Sequence, residues 1–368
     1  MDYRVAAFTD TYLPTVNGVT YTLQSWRDRW NGNRGQMDVV YPAADSYTPG
    51  PGEYPVDSLP FPFYEGFRVG LPELPTAVRS ADLVHAHTPF SLGLSGLRLA
   101  RRRDLPLVAS YHTPAGEYAG YVGPTDWIAD KIRGTAETYE RNFYDRAEVV
   151  IVPTAWTRQH LTSQVGVVTS VEVIGNGVDV DRFRPVETGD FLARHDLPAD
   201  RPLVGYTGRH GYEKNLDRLV EACGGLDVTL VFGGDGPVRE DLEEWAAEAD
   251  VDVRFLGFLD REELPAFYSS LSVFGFPSPV ETQGLGALEA IACGTPVVAV
   301  DSGALSDTIE EGTTGYHFPR DDVDAFRARI RRAIDERERL SANCTERRER
   351  LSVARSVELL ADVYEDLL

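Results

Sequence analysis

The chain has 368 residues, which is long enough for two domains that each bury a full core. Its 58 acidic residues outnumber 36 basic ones, and the net charge of −22 is spread along the chain, which disfavours nucleic acid as a partner because phosphate-backbone binding needs a basic face. Neither a signal peptide nor an apolar run of the roughly 18 residues that span a membrane is visible. We therefore expect a cytoplasmic protein, whose membrane contact at the inner face of the cell membrane would be peripheral.

Composition also bears on redox state and habitat. Cys223, Cys293 and Cys344 are odd in number and widely spaced, which favours reduced apolar residues over disulfides or a zinc site. Lys131 and Lys214 are the chain's two lysines. An acidic, lysine-poor chain resembles the proteins of halophiles such as haloarchaea, whose surface charge keeps them soluble in concentrated salt. In such a chain a lysine inside a motif is not an ordinary solvent-exposed residue, and a specific role is expected for it.

Apolar runs alternate with helical patterns along the chain, which predicts parallel sheets covered by helices on both faces. In the first half we predict strands at 3–8, 37–41, 82–86, 106–111, 148–152 and 171–174 and helices near 17–30, 90–103, 125–147 and 155–164. In the second half we predict strands near 202–207, 227–232, 252–256, 271–276 and 295–300 and helices near 214–224, 237–248, 261–270 and 285–293. The fold class is therefore α/β, with doubly wound, Rossmann-like domains at 1–185 and 186–344 and a C-terminal helix at 345–368 that returns to the first domain.

Two segments of the first domain carry candidate ligand groups. Gly18 lies in a turn before a predicted helix, where glycine lets the backbone approach a ligand and offers N–H groups to a phosphate, although a plain turn explains it equally well. His112 follows a predicted strand, the position from which a histidine reaches a ligand in an α/β fold. His85 lies within a strand and is interpreted as a core residue.

The second domain opens with a strand and a glycine turn that carries two cations five positions apart, Arg209 and Lys214. The dipole at a helix start opposes cations, so their presence there suggests an anion between them; a solvated helix start is the alternative. Arginine can bind a diphosphate bidentately, and lysine supplies a compact charge. The later glycine turn at 233–236 lacks the third glycine of a dinucleotide fingerprint because Arg239 stands there, which disfavours a nicotinamide enzyme.

Residues 271–303 predict a strand, a loop, a short helix and a second strand. Gly284 and Leu285 open the helix, where backbone N–H groups and the helix dipole favour a phosphate. Glu281 lies on the loop, where it can meet a sugar hydroxyl or a developing positive charge, and Glu289 can accept two hydrogen bonds from a vicinal diol such as ribose. Either glutamate alone also has an ordinary explanation, as a solvated loop residue or a favourable helix start.

Taken together, these segments resemble glycosyltransferase family 4, the retaining nucleotide-sugar enzymes of the GT-B fold, in which two Rossmann-like domains face each other across a cleft. The similar segments are the glutamate pair 281–289, the Gly-Arg-x4-Lys element at 208–214, the amino-terminal signature at 8–19 and the histidine segment at 111–113. They occur in the family's order between Phe8 and Gly315. The chain departs from the pattern at 211–213, where Gly-Tyr-Glu precedes the lysine.

The resemblance implies a role for each candidate residue. The diphosphate of the donor is bound by the turn at Gly18, by the cations Arg209 and Lys214, and by the helix start at Gly284 and Leu285. Phe258 marks the nucleobase edge, and Glu289 binds the ribose. His112 and Glu281 orient the hexose and complete the catalytic set with the two cations. The resemblance implies no metal and no cofactor, because the cations are built in and the nucleotide sugar is a substrate.

The predicted activity is transfer of a hexose from a nucleotide diphosphate sugar to an acceptor hydroxyl, with the anomeric configuration retained. Residues 87–94 and 111–118 are similar to enzymes that glucosylate diacylglycerol or mannosylate phosphatidylinositol, which implies a lipid acceptor. The apolar stretch 59–67, and the basic helix end formed by Arg98 and residues 101–103, could meet a bilayer surface or could serve ordinary packing. A soluble sugar or sugar-phosphate acceptor and a non-catalytic nucleotide-sugar binder are the alternatives. No obligate protein partner is evident.

Overall fold

The computed structural model describes residues 3–60, 68–112 and 126–368. For residues 126–133 it describes the backbone only. The chain divides into two compact units: unit 1 comprises Met1–Asn176 with Val353–Leu368, and unit 2 comprises Gly177–Ser352. The predicted division points were 185 and 345. The chain enters unit 2 earlier because Phe183 is buried in the core of unit 2, and leaves it later because Leu351 packs against the same core.

Unit 1 is built on a sheet of parallel strands. Its described strands are β1 (Tyr3–Phe8), β2 (Gly35–Pro42), β3 (Glu53–Val56), β6 (Leu83–Ala86), β7 (Leu107–Ser110), β8 (Val149–Val152) and β9 (Ser170–Val173). They lie in the order β3-β2-β1-β6-β7-β8-β9. A separate antiparallel pair is formed by β4 (Ser58–Pro60) and β5 (Arg68–Gly70).

The central strand β1 shows why this sheet is covered on both faces. Ala6 and Phe8 belong to one apolar core, whereas the alternate residues Val5 and Ala7 belong to another. Successive side chains of a strand point to opposite faces, so a run of apolar residues needs helices on both. Those helices are α1 (Gly18–Asn33), α2 (Ser91–Arg103), α3 (Asp126–Tyr144), α4 (Ala155–Gln159) and the C-terminal helix Val353–Leu367.

Unit 2 repeats the scheme. Its strands are β10 (Leu203–Thr207), β11 (Thr229–Gly233), β12 (Asp252–Gly257), β13 (Val273–Phe276), β14 (Val297–Val300) and β15 (Gly315–Phe318), in the order β12-β11-β10-β13-β14-β15. Its helices are α5 (Gly189–Arg194), α6 (Leu216–Cys223), α7 (Arg239–Glu248), α8 (Leu264–Ser270), α9 (Leu285–Ala292), α10 (Leu305–Thr308), α11 (Val323–Asp335) and α12 (Arg337–Arg347). The predicted α/β fold with two doubly wound parallel sheets is confirmed.

Strand order places the functional loops. In unit 1 the order reverses between the neighbours β1 and β6, and in unit 2 between β10 and β13. At such a switch point the connections after the two strands leave toward opposite faces of the sheet, so that a crevice opens at the carboxyl edge. The loops that follow these four strands hold most of the candidate residues, including Arg209, Lys214 and Glu281.

Gly93, in the first turn of α2, permits the tightest contact at the switch point of unit 1. A Cβ at this position would lie 1.8 Å from the carbonyl oxygen of Thr88, which no real pair of atoms can tolerate. Gly134, in α3, offers a matched comparison, because a Cβ there meets no atom within 4 Å.

We expect Gly93→Ala to reduce the free energy of unfolding by about 2–3 kcal/mol, since the backbone of α2 must move away from Thr88. Gly134→Ala should instead raise it by about 0.5–1 kcal/mol, because alanine is the better helix former and gains no clash. Urea denaturation of the two variants beside the parent protein measures both effects. Equal effects of the two substitutions would contradict the close approach.

Candidate functional site

The loop after β10 carries Arg209 and is braced by the glycine turn after β11. Gly234 has φ +102°, and a Cβ there would lie 2.1 Å from the carbonyl oxygen of Gly208. A Cβ on Gly236 would lie 2.4 Å from the carbonyl oxygen of His210. In the sequence this turn is visible only as an incomplete dinucleotide fingerprint. In the structure its glycines let the backbone support the loop that presents Arg209.

Arg209 is exposed, with 43% of its side chain accessible. Its Nη1 atom lies 3.6 Å from Oε1 of Glu213. An exposed pair of this kind contributes little stability, so a ligand anion can compete with Glu213 for the guanidinium.

Lys214 and Glu281 form the closest contact between the predicted site residues. Lys214 ends the 3₁₀ turn Tyr212–Lys214, and its Nζ atom donates to Oε1 of Glu281 at 2.7 Å. The two side chains are only 19% and 18% exposed. The pair therefore joins the loop after β10 to the loop after β13, directly across the switch point of unit 2.

Electrostatics keep Lys214 charged. Burial alone would lower the pKa of the ammonium group, but the Glu281 carboxylate, the Tyr206 phenol and Glu213 together raise that pKa above its ordinary value. Burial raises the pKa of Tyr206 as well, so the phenol stays neutral. At neutral pH the turn thus presents two cations, Lys214 and Arg209, each beside a glutamate.

The helix start predicted at 284–285 is present. Gly284 is the N-cap of α9 with φ +81°, and a Cβ there would lie 2.8 Å from Leu305 Cδ2. Among the residues that the structure describes, no side chain caps this helix, and its first turn contains no acidic residue. An uncapped N-terminus that follows a glycine is suited to an anionic ligand, because the dipole and the first N–H groups face it.

Glu289 lies one turn further into α9 and is more enclosed than the sequence analysis assumed, with 7% of its surface accessible. Its Oε2 atom accepts a hydrogen bond from the hydroxyl of Tyr268 at 2.8 Å, and its Oε1 atom lies 3.6 Å from Nη1 of Arg261. Burial raises the pKa of the carboxyl, and Arg261 opposes that rise. Tyr268 and Arg261 were missed by the sequence analysis, since neither lies in a motif.

Phe258 follows β12 and is 71% exposed. Phe255, three residues earlier, stacks on Phe232 at 5.3 Å between ring centroids and is covered by the guanidinium of Arg239 at 3.5 Å. The exposed ring of Phe258 thus stands just beyond the carboxyl end of the edge strand β12. Because β11 lies between β12 and β10, the structure does not bring Phe258 into contact with the Lys214–Glu281 pair.

In unit 1, Gly18 is the first residue of α1 and is exposed. The N-cap Asn17 accepts a hydrogen bond from the backbone N–H of Thr20 at 3.0 Å and donates to Oγ1 of Thr11 at 2.7 Å. This cap fixes the start of α1, whose first turn contains no acidic residue. The arrangement suits an anion at the backbone near Gly18.

Asp10, which the sequence analysis did not single out, ties together the two sides of the switch point in unit 1. It is 3% exposed and accepts hydrogen bonds from the hydroxyl of Thr88 at 2.6 Å and from the backbone N–H of Leu92 at 3.0 Å. Burial raises the pKa of its carboxyl, and these hydrogen bonds lower it. Asp10 thereby joins the loop after β1 to the start of α2.

His112 lies two residues beyond β7 and is half-buried. Its Nε2 atom is 3.1 Å from Nδ1 of His87, a residue at the end of the neighbouring strand β6. His85 is fully buried, as predicted for a core residue, and its ring contacts that of His87. His87 was not among the predicted site residues, although its spacing of two from His85 places both side chains on the same face of the strand.

Some predictions fall outside the described residues. The apolar stretch 59–67 is described only at Leu59, which is 61% exposed, and at Pro60. Residues 113–118 also lie outside the described ranges.

Within the described ranges, no three or more His, Cys, Asp or Glu side chains are grouped so as to hold a metal ion. No helix in those ranges is both long and apolar enough to cross a membrane.

Comparison with known families covers both units. The family described as Glycosyltransferase Family 4 matches residues 16–182, and the family described as Glycosyl transferases group 1 matches residues 189–351. The two matches meet close to the division between units 1 and 2.

Individual relatives agree with these families. A GDP-mannose-dependent alpha-mannosyltransferase of Mycolicibacterium smegmatis is 31% identical over 343 residues, which is 90% of this chain and 88% of that protein. An alpha-monoglucosyldiacylglycerol synthase of Streptococcus pneumoniae is 28% identical over 336 residues, which is 85% of this chain and 74% of that protein. Sucrose-phosphate synthase from Thermosynechococcus elongatus shares the fold, with a TM-score of 0.79 at 24% identity over 99% of both chains. The chain belongs to the group 1, family 4 glycosyltransferases of the GT-B fold.

Proposed function

We propose that this protein transfers a hexose from a nucleotide diphosphate sugar to an acceptor hydroxyl and retains the anomeric configuration. The observation that carries the proposal is the 2.7 Å contact between Lys214 Nζ and Glu281 Oε1. A cation suited to a diphosphate thus touches a carboxylate suited to a sugar. In a nucleotide sugar these two parts meet at the bond between the anomeric carbon and the diphosphate, which is the bond that breaks.

Unit 2 supplies the groups for the leaving diphosphate. Lys214 offers a fixed charge, Arg209 an exposed guanidinium, and the start of α9 at Gly284 an uncapped set of N–H groups. In the proposed step the bond from the anomeric carbon to the diphosphate oxygen breaks, and the acceptor oxygen bonds to that carbon on the same face. The acceptor proton passes to the departing phosphate oxygen. The main catalytic task is to stabilise the negative charge on the departing diphosphate. Because cations of the protein do this, the proposed reaction needs no metal ion.

Glu289 is proposed to bind the ribose of the donor. Tyr268 holds Oε2 at 2.8 Å, and Arg261 lies close to Oε1. A carboxylate held on one side by a buried phenol keeps its remaining acceptor sites in a fixed direction, which suits the two neighbouring hydroxyls of a ribose. The relatives described above include a mannosyltransferase and a glucosyldiacylglycerol synthase, so the donor panel must contain both sugars.

We further propose that the acceptor hydroxyl belongs to a lipid. The outer face of α2 carries Phe90, Leu94 and Arg98 at spacings of four, with exposures of 42% and 43% for the two apolar residues. Apolar side chains followed by arginines along one helix face suit the boundary between acyl chains and headgroups. The lipid product named for the Streptococcus pneumoniae relative supports this choice over a soluble acceptor.

The first test is direct. Purified protein in high salt is screened with GDP- and UDP-linked mannose and glucose by thermal shift, in which the true donor raises Tm by mass action. Transfer from that donor should form a product whose anomeric proton, observed by NMR early in the reaction, shows the configuration of the donor. Lys214→Ala should lower turnover about 100-fold because the charge on the leaving group loses its partner. Lys214→Arg should restore little, since a planar guanidinium does not replace a compact ammonium.

Arg320→Ala removes an exposed cation of unit 2 that is outside the proposed site and serves as the control. Parental turnover in Lys214→Ala would contradict the assignment of Lys214 to the diphosphate. An inverted product would contradict retention. Donor binding without hydrolysis or transfer to any acceptor would indicate a non-catalytic binder.

The two glutamates should separate nucleotide binding from turnover. Glu289→Ala should weaken the binding of the free nucleoside diphosphate, because the ribose loses its acceptor. Glu281→Ala should spare nucleotide binding and lower kcat, because the carboxylate acts on the sugar and on Lys214. Isothermal titration with nucleotide alone, combined with steady-state kinetics, measures both. Glu244→Ala, on the exposed face of α7, is the matched control, and the reverse pattern would overturn the assignment.

Co-sedimentation with liposomes tests the lipid acceptor. We expect the parent protein to bind vesicles that contain anionic lipid, and the double variant Phe90→Ser, Leu94→Ser to bind them less. Val168→Ser removes an apolar residue of unit 1 that is 86% exposed elsewhere, and should not change binding. Binding should persist in part at 1 M salt, where the screening length of about 3 Å leaves mainly the apolar contribution. Absence of binding at every salt concentration would favour a soluble acceptor.

A further inference from the structure

Three histidine rings lie in a row at the carboxyl edge of unit 1. The centroids of His85 and His87 are 4.1 Å apart with planes inclined by 27°, and those of His87 and His112 are 5.4 Å apart with planes inclined by 12°. His85 and His87 come from β6 and its end, and His112 follows the neighbouring strand β7. We call these three residues the histidine row.

The rings of the histidine row are neutral at ordinary pH. Burial lowers the pKa of His85 to about 3 and that of His112 to about 4, and burial together with the two neighbouring rings holds the pKa of His87 well below its ordinary value. A neutral imidazole carries one N–H donor and one acceptor nitrogen, and which nitrogen holds the proton is set by the partners of the ring.

His85 anchors the inner end of the row. Its Nδ1 atom lies 2.6 Å from the hydroxyl of Tyr364, on the C-terminal helix, and its Nε2 atom lies 2.8 Å from Oγ of Ser110. Both nitrogens are thus engaged, and the ring cannot rotate without losing two buried hydrogen bonds. The stacked ring of His87 packs against this fixed surface.

The contact between His87 and His112 admits two arrangements of protons. His87 Nδ1 and His112 Nε2 lie 3.1 Å apart, so one of them must donate and the other accept. The other nitrogen of His87, Nε2, is buried and has no hydrogen-bond partner among the residues that the structure describes. If His112 were the donor, His87 would need its own proton on Nε2, where it would be a buried N–H without an acceptor.

The alternative leaves only a lone pair at Nε2 of His87. Buried N–H groups without an acceptor are rarer in proteins than buried acceptors without a donor, which favours donation from His87. We propose that His87 is a positioning residue, which donates from Nδ1 to Nε2 of His112 and thereby fixes the His112 ring with its own proton on Nδ1. The catalytic value of this arrangement rests on the proposed function, together with the role that the family resemblance implies for His112, which is to orient the transferred hexose.

The arrangement gives His112 a definite chemical character. The proton of its ring then lies on Nδ1, and the ring plane is held by the row behind it. A fixed neutral donor can hydrogen-bond a hydroxyl oxygen of the sugar without removing a proton from it. His112 would then act by orientation and would not be a general base.

Ring ¹⁵N NMR tests the proposal in the ligand-free protein. The chain has seven histidines, so the signals of His112 can be assigned by their loss in His112→Gln. In the parent protein we expect the His112 signal pattern of the Nδ1–H tautomer. His87→Asn places an amide donor near the position of Nδ1 and should preserve that tautomer. His87→Leu removes the donor and should let the proton of His112 move to Nε2 in part or completely.

Kinetics supply the second measurement. His87→Leu should lower kcat by about 10- to 100-fold, the cost of a misplaced orienting group, with little change in the KM of the donor. His87→Asn should recover most of kcat. Thermal melting of both variants separates this pattern from a simple loss of fold, since a merely structural role predicts that kcat follows Tm rather than the tautomer.

The outcomes are distinct. An Nε2–H tautomer of His112 in the parent protein, or a tautomer that is unchanged in folded His87→Leu, would overturn the proposal. If His87→Leu does not fold, the tautomers of the parent protein and of His87→Asn still decide it. Failure of the proposed function would appear as absence of transfer in the parent, which leaves the NMR result untouched. His195→Gln, in unit 2, is the control and should leave the His112 signals unchanged.

Discussion

The contact between Lys214 and Glu281 is the interaction on which the rest of the site depends. Both side chains are mostly withdrawn from water, where a charge pair is strong but costly to break, because removal of either partner leaves the other charge buried alone. The contact exists because β10 and β13 are neighbours and the loops after them meet at a point where strand order reverses. In the proposed reaction a diphosphate joins this pair, and the electrostatic field that receives it is already in place before the substrate arrives.

The two units use one architecture for different chemistry. The switch point of unit 2 holds the Lys214–Glu281 pair, the exposed guanidinium of Arg209 and an uncapped helix start, and the cations and the helix start suit an anion. The corresponding edge of unit 1 holds neutral imidazoles and a buried Asp10 whose hydrogen bonds are internal. Neutral donors suit hydroxyl groups, which need direction more than charge.

Sequence patterns predicted the fold well because each apolar run is short, continuous and separated from the next by a helical period. The strands that they did not predict include β3 and β15. In β3 the buried Glu53 breaks the apolar pattern. Its burial is supported by Nη1 of Arg27, from α1, which lies 3.0 Å from Oε1, and by the hydroxyl of Tyr12, which donates to the same oxygen at 3.1 Å. In β15 a glycine leads a four-residue strand, and a Cβ there would lie 1.7 Å from the carbonyl oxygen of Val297. Both exceptions depend on neighbours that are distant in the chain.

The sequence by itself determined the repeated alternation of strands and helices, the glycines that permit tight turns, and the residue types from which the site is made. Each of these depends on local geometry, which a run of neighbouring residues can specify. Only the tertiary structure decided that Lys214 meets Glu281, that Tyr268 and Arg261 hold Glu289, and that His87 stands behind His112. Such contacts depend on which strands become neighbours and which loops share an edge. That order is set by the packing of the whole core, so no short segment of the chain can encode it.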